Sequence, residues 1–308
     1  MTGVDSVLLI AFGGPEKPED IRPFLEIVAA GRRIPPERIE DVARHYEAIG
    51  GRSPLAELTF AQARGLEQAL ARGGPALPVF VGMRNWHPFL HETLVEMAGK
   101  GARRALAVIL SPLRTEASWD RYMQDVAEAR ARVPGAPEVG FAPAWFESPR
   151  FVAAVADRAR AALGEVPEDA RASTPLVFTA HSVPTAMAAV SPYVSDLNAA
   201  SRAVVRRLGH TQWSIAYQSR SGSPRQPWLE PDIGDALRRL AADGARHVVV
   251  VPIGFVCDHV ELLYDLDVEA RRVADGAGLG LHRAAAVNDH PQFVAMLADL
   301  VRGAQSRT

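Results

Sequence analysis

Val248-Val249-Val250-Val251-Pro252-Ile253-Gly254-Phe255, followed by Val256-Cys257-Asp258-His259-Val260-Glu261-Leu262-Leu263-Tyr264-Asp265-Leu266-Asp267, decides how this chain is read. The first part is a continuous apolar run, as expected of a buried strand. The second part is dense in acids and imidazole. If it is helical, Glu261, Asp265 and Glu269 fall at i, i+4 and i+8 and share one face. Three carboxylates on one face repel one another unless a cation or protons offset the charge. The arrangement suits handling a metal ion or passing protons. A solvated acidic helix face is the alternative. Position favours the site, because open α/β sheets bind ligands at the C-terminal ends of their strands.

The same strand-then-helix succession runs outward from this stretch. Strands are expected at 7–12, 78–83, 105–110, 139–142, 176–179, 213–218, 248–252 and 281–286. Helices are expected at 18–30, 38–49, 58–71, 88–100, 118–132, 149–163, 192–208, 231–242, 261–274 and 291–301. Alternation of this kind implies an α/β protein whose parallel sheets are covered by helices. The polar, Pro-containing stretch 164–175 marks a boundary, giving domains 1–164 and 165–308, with the last helix free to pack back on the first. Gly101-Ala102-Arg103-Arg104-Ala105-Leu106-Ala107-Val108 echoes Gly244-Ala245-Arg246-His247-Val248-Val249-Val250-Val251, which suggests a duplicated plan. Two such halves leave a cleft, the usual place for a ligand.

Composition narrows the function classes. The 308 residues are 48% hydrophobic and 23% charged, enough for a full core. A net charge of -2 argues against nucleic acid as the main partner. Cys257 is the only cysteine, so neither an internal disulfide nor an iron–sulfur cluster held by several thiolates of this chain is expected. The first five residues lack a basic segment, and the apolar run that follows ends by Gly13. That is too short for a signal sequence or a membrane span, and the expectation is a cytoplasmic protein without stable membrane insertion.

His181 follows Val177-Phe178-Thr179-Ala180, where a buried strand delivers its last residue to the sheet edge. Its ring can accept a proton or bind a metal. A histidine that caps the strand is the alternative reading. His259 and Glu261 stand at the end of the equivalent strand, and two adjacent strands would bring His181 and Glu261 to one wall. The sequence has no Gly-x-Ser-x-Gly elbow and no Walker lysine. Gly50-Gly51 reads as a helix stop, which leaves Tyr46 and Ser53 nearby unexplained. Phe12, Tyr46, Trp86, Trp119, Tyr122 and Trp228 lie near strand ends and loops, where a large flat ligand would need them.

Several segments together resemble the ferrochelatases, which insert ferrous iron into a porphyrin. They are Leu8-Leu9-Ile10-Ala11-Phe12-Gly13-Gly14-Pro15, His45-Tyr46-Glu47-Ala48-Ile49-Gly50-Gly51-Arg52-Ser53-Pro54-Leu55 and Gly82-Met83-Arg84. Ala180-His181-Ser182-Val183-Pro184, Tyr217-Gln218-Ser219, Pro227-Trp228-Leu229 and the stretch from Pro252 to Tyr264 complete the set. The likeness covers nearly the whole chain and is nearest to the short soluble forms, some of which act on coproporphyrin III. It implies two Rossmann-like domains and a lyase of heme biosynthesis. Iron(II) and the porphyrin are then its substrates, no cofactor is tightly bound, and a monomer is expected. His181 and Glu261 would bind or deliver the iron, with Asp265 and Glu269 as a relay or a divalent-cation site. Porphyrin contacts would fall on Phe12, Arg32, His45, Tyr46, Ser53 and Tyr122. Phe12 stands where related forms often carry tyrosine, His45 replaces an arginine, Ala29 replaces a basic residue, and Glu230 replaces a glycine. Whether the substrate is coproporphyrin III or protoporphyrin IX stays open, as do a chelatase for another tetrapyrrole and metal and a porphyrin-binding protein without catalysis.

Overall fold

The computed structural model describes residues 3–31, 35–221 and 226–306. Among these, two four-stranded sheets pair entirely in parallel. The first comprises β1 (Ser6–Ala11), β2 (Val79–Met83), β3 (Arg104–Ile109) and β4 (Glu138–Phe141), in the order β2-β1-β3-β4. The second comprises β5 (Leu176–His181), β6 (Trp213–Gln218), β7 (His247–Val251) and β8 (Gly280–Arg283), in the order β6-β5-β7-β8. The orders are the same plan used twice. In each, the chain leaves a central strand for one side and then crosses to the other. The order therefore reverses between β1 and β3 and again between β5 and β7, and such switch points are where open α/β sheets bind ligands.

The helices are α1 (Ile21–Ala29), α2 (Pro36–Ala48), α3 (Leu55–Gly73), α4 (Leu90–Gly99), α5 (Arg121–Arg132) and α6 (Pro149–Gly164), then α7 (Thr185–Ala189), α8 (Tyr193–Leu208), α9 (Ile233–Ala242), α10 (Val260–Leu263), α11 (Arg271–Gly276) and α12 (Pro291–Gln305). β1 is buried along its whole length, and β5 up to its last residue, His181. Helices cover both faces, which is why these strands read as continuous apolar runs. Each fully buried Leu, Ile, Val or Phe contributes about 1.5–3 kcal/mol through removal of its side chain from water. Among the described residues, no helix is long and apolar enough to cross a membrane.

The repeated Gly-Ala motif is repeated in structure. α4 and α9 each end at a glycine with positive φ, Gly101 at 80° and Gly244 at 92°. The amide of the following alanine then donates back into the last turn, Ala102 to the Met97 carbonyl and Ala245 to that of Leu240, each at 3.0 Å. This is a glycine-terminated C-cap leading into a buried strand in both halves.

The chain forms two compact units, Met1–Ser111 with Ala117–Ala144 and Asn288–Thr308, and Pro112–Glu116 with Trp145–Val287. Residues 145–164, expected in the first domain, group with the second unit. α6 buries Phe151, Ala154, Ala156 and Ala159 and packs against α8 and β7, so its apolar face ties it there. α12 packs against α3 in the first unit, where Gln62 Nε2 donates to the Asn288 carbonyl at 2.9 Å and Arg302 Nη2 to that of Ala69 at 3.0 Å. The run expected as one helix over 261–274 is α10, a π-helical stretch Asp265–Ala270, and α11. The Glu269 amide donates to the Tyr264 carbonyl, five residues back, at 2.9 Å.

Candidate functional site

The switch point of the second unit is built by two neighbouring strands. Val177 pairs with Val250 and Phe178 with Val251, so β5 and β7 end side by side. β5 continues to His181. β7 gives way to the loop 252–259, and its close approach to β5 depends on Gly254. The Gly254 amide donates to the Thr179 carbonyl at 3.0 Å, and a Cβ at this position would lie 2.6 Å from Ala180 Cβ. Only a residue without a side chain fits there. The loop then delivers His259 as the residue before α10, and Glu261 in its first turn.

His181 Nε2 lies 3.7 Å from Glu261 Oε1, and His259 Nε2 lies 3.9 Å from Glu261 Oε2. Both separations are too long for hydrogen bonds. The other ring nitrogens are committed. His181 Nδ1 lies 2.5 Å from the Ser182 carbonyl, and His259 Nδ1 lies 3.1 Å from that of Cys257. A carbonyl only accepts, so each Nδ1 carries the hydrogen. In the neutral rings, both Nε2 lone pairs therefore face the Glu261 carboxylate. Glu261 Oε2 is buried and makes no hydrogen bond. Three electron-pair donors thus lie close together with no donor hydrogen between them, an arrangement that takes up a proton readily but is not a closed cage for a metal ion. Burial lowers the pKa of His259, although Glu261 pulls in the opposite direction. His181 and Glu261 side chains keep 29% and 31% of their surface exposed, so the donors are reachable.

Polar residues hold this arrangement from behind. Gln218, the last residue of β6, donates through Nε2 to the Glu261 carbonyl at 2.5 Å. Tyr193 donates its hydroxyl to the His181 carbonyl at 2.8 Å, and burial pushes its pKa up, so it stays a donor. Ser182 donates from its amide to the Gln218 carbonyl at 2.7 Å and from Oγ to the Leu229 carbonyl at 2.9 Å. These bonds explain the serine after His181 and the Gln-Ser pair at the end of β6. Ser219 has a left-handed φ of 60° and donates Oγ to Asp265 Oδ2. Strained backbone of this kind persists only where its surroundings hold it.

The acidic ladder keeps its four-residue spacing through the π-helical stretch. Leu262, Leu266, Ala270 and Ala274 are buried at that interval, and Glu261, Asp265 and Glu269 each precede one of them. Glu261 and Asp265 are half-buried, and Glu269 is exposed. Among the described residues, no group of three or more His, Cys, Asp or Glu side chains is arranged to hold a metal ion. A cation at Asp265 and Glu269 would need water or substrate for its remaining ligands.

In the first unit, Phe24 joins three of the expected aromatic residues, with its ring edge-on to Phe12 at 6.3 Å, Tyr46 at 6.0 Å and Trp86 at 6.0 Å. Tyr46 and Trp86 are buried, whereas Phe12, just past β1, is 39% exposed. Phe12 therefore presents an apolar ring beyond the strand end. Ser53 is buried, its amide donating to the Pro15 carbonyl at 2.8 Å, and it lines a hollow of about 270 Å³ with Arg52, Ala56 and Phe60. His45 sits in the last turn of α2, with its pKa lowered by burial and by Arg38. Tyr122 is packed in the core of this unit beneath the Arg84 guanidinium, 5.8 Å from its ring centre, and Arg84 pairs with Asp125 at 2.8 Å. Burial pushes the Tyr122 pKa up. Arg32 lies outside the described residues.

The family model described as ferrochelatase matches residues 4–305. The chain belongs to the ferrochelatase family. A coproporphyrin III ferrochelatase of Frankia alni is 45% identical, with 97% of this chain and 79% of that protein covered. One from Mycolicibacterium smegmatis is 42% identical, covering 96% of this chain and 88% of that protein. The solved sirohydrochlorin chelatase SirB of Bacillus subtilis subspecies spizizenii, in complex with cobalt, matches 98% of this chain and 95% of its own at a TM-score of 0.56. At 11% identity, that likeness speaks for the fold alone. As a ferrochelatase-family chain, this one carries its His181–Glu261 pair at the switch point of its second sheet.

Proposed function

We propose that this chain is a lyase that inserts iron(II) into coproporphyrin III in heme biosynthesis. The observation that carries the reading is the meeting of two imidazole lone pairs and a carboxylate at one sheet edge. Metalation replaces two pyrrole N–H protons with one divalent ion. A group that accepts a proton and a group that holds a cation weakly are therefore needed in the same place. His181 Nε2 accepts a pyrrole proton. Glu261 holds the incoming iron loosely or takes up the second proton, with Asp265 and Glu269 carrying it toward solvent. Iron(II) takes imidazole and carboxylate ligands, and an open set of donors releases the ion more easily than a closed cage would. A flat macrocycle hides its nitrogen lone pairs, so rim contacts must favour a distorted ring.

Phe12, Tyr46 and Ser53 are the proposed porphyrin contacts, with Phe12 offering an apolar face. His45 is uncharged at neutral pH and would meet a propionate as a hydrogen-bond donor. Tyr122, expected from the resemblance as a further contact, is packed in the core of the first unit beneath Arg84. The names of relatives at 41–45% identity support coproporphyrin III as the substrate.

The test is anaerobic iron(II) insertion with coproporphyrin III and protoporphyrin IX side by side, followed in the visible spectrum. Turnover is expected with both or with coproporphyrin alone, and faster with coproporphyrin. Binding of both without turnover of either would make this chain a porphyrin carrier.

A further inference from the structure

The acid-rich stretch contains two carboxylates that the proposed chemistry does not use, Asp258 and Asp267. Both point to one buried guanidinium, Arg283 at the end of β8. Arg283 Nε and Nη2 reach the two oxygens of Asp267 at 2.7 and 2.8 Å, a planar fork on a carboxylate. Nη1 reaches Asp258 Oδ1 at 2.7 Å and the Ala284 carbonyl at 3.3 Å. The Ala286 amide also donates to Asp258 Oδ1 at 3.4 Å. The side chains are 12% exposed for Arg283, 14% for Asp258 and 28% for Asp267, so water does little to weaken these bonds.

What lies between the two carboxylates matters. Residues 258–267 carry His259, Glu261 and Asp265, together with the entry to the π-helical stretch. One end is pinned at Asp258, one residue before His259. The other is pinned at Asp267, inside the π-helical stretch. A single planar guanidinium therefore fixes both ends of the segment that sets Glu261 3.7 Å from His181. We infer that Arg283 is a positioning residue for metalation, holding Glu261 and Asp265 in place through Asp258 and Asp267, an inference that rests on the function proposed above. Lysine retains the charge but not the fork, and cannot bond to both carboxylates in the same geometry.

The test compares wild type, Arg283→Lys and Asp267→Asn, each assayed at a temperature where its near-ultraviolet circular dichroism matches the folded wild type. Arg283→Lys should lower the kcat for iron(II) insertion about tenfold or more, as loss of an orienting partner does at metal-handling sites. Its porphyrin Kd, read by fluorescence quenching, should stay within about twofold of wild type. Asp267→Asn, which keeps the shape of the side chain, should show a smaller fall of the same kind, and it decides the matter if Arg283→Lys does not fold. A folded variant with unchanged kcat would overturn the inference, as would loss of porphyrin affinity in step with kcat. If wild type itself inserts no iron, the proposed function fails and this inference falls with it. If wild type is active and the variants match it, this inference alone fails.

Discussion

His45 shows how one side chain carries both a structural and a functional consequence. Burial and the Arg38 guanidinium lower its pKa, with Asp41 pulling the other way. Between that lowered value and the unfolded value of about 6.5, the unfolded chain binds more protons than the folded one. Stability therefore rises with pH across this window and is lost as pH falls through it. The melting temperature should drop on acidification from about pH 7.5 to about pH 5.5, and His45→Gln should flatten part of that drop. His259, shifted in the same direction, leaves a remaining slope. Equal slopes in wild type and variant would show that His45 does not contribute. Among individual residues, His181 and Glu261 were legible because a strand end next to imidazole and acid is a recognisable pattern. Gln218 stood out only as part of the segment Tyr217-Gln218-Ser219, and Tyr193 and Arg283 carried no signal. Gln218 and Tyr193 act on backbone carbonyls of His181 and Glu261, and Arg283 acts on acids 16 and 25 residues away. Tyr122 was legible as an aromatic near a strand end, but sequence does not reveal that its helix turns it into the core.

The elements that place the site are β5, the loop 252–259 and the π-helical stretch. Gly254 is the tightest joint among them. Gly254→Ala should cost about 1–3 kcal/mol, the usual range for overpacking, because a new methyl would overlap Ala180. The loop must then move away from β5, and iron insertion should fall while porphyrin binding is largely kept. Urea denaturation and the insertion assay read the two effects. A variant as stable and active as wild type would show that the loop is not held by this contact. Element types were legible almost throughout, since buried strands and amphipathic helices impose different periods. The π-helical register was not, because Leu262, Leu266, Ala270 and Ala274 keep a spacing that also suits an α-helix. α7, only five residues long, has too few turns to show a period.

Across the whole molecule, the duplicated plan was legible from one echo, Gly101 to Val108 against Gly244 to Val251, and both sheets share one strand order. The unit boundary was harder to see. Composition marked the polar stretch 164–175, but burial of the α6 face against β7 and α8 outweighs it. Placing the reactive pair at a switch point makes a specific demand on the protein. Under the proposed function, porphyrin binding draws on many residues, whereas metalation depends on one strand end. The most direct measurement is a pair of readings on His181→Ala: porphyrin Kd by fluorescence quenching, and the anaerobic iron(II) insertion rate with the same porphyrin. Binding should stay within about tenfold, or about 1.4 kcal/mol, while insertion is lost. A loss of binding as large as the loss of rate would make His181 a structural residue, and insertion at the wild-type rate would contradict its role as the proton acceptor.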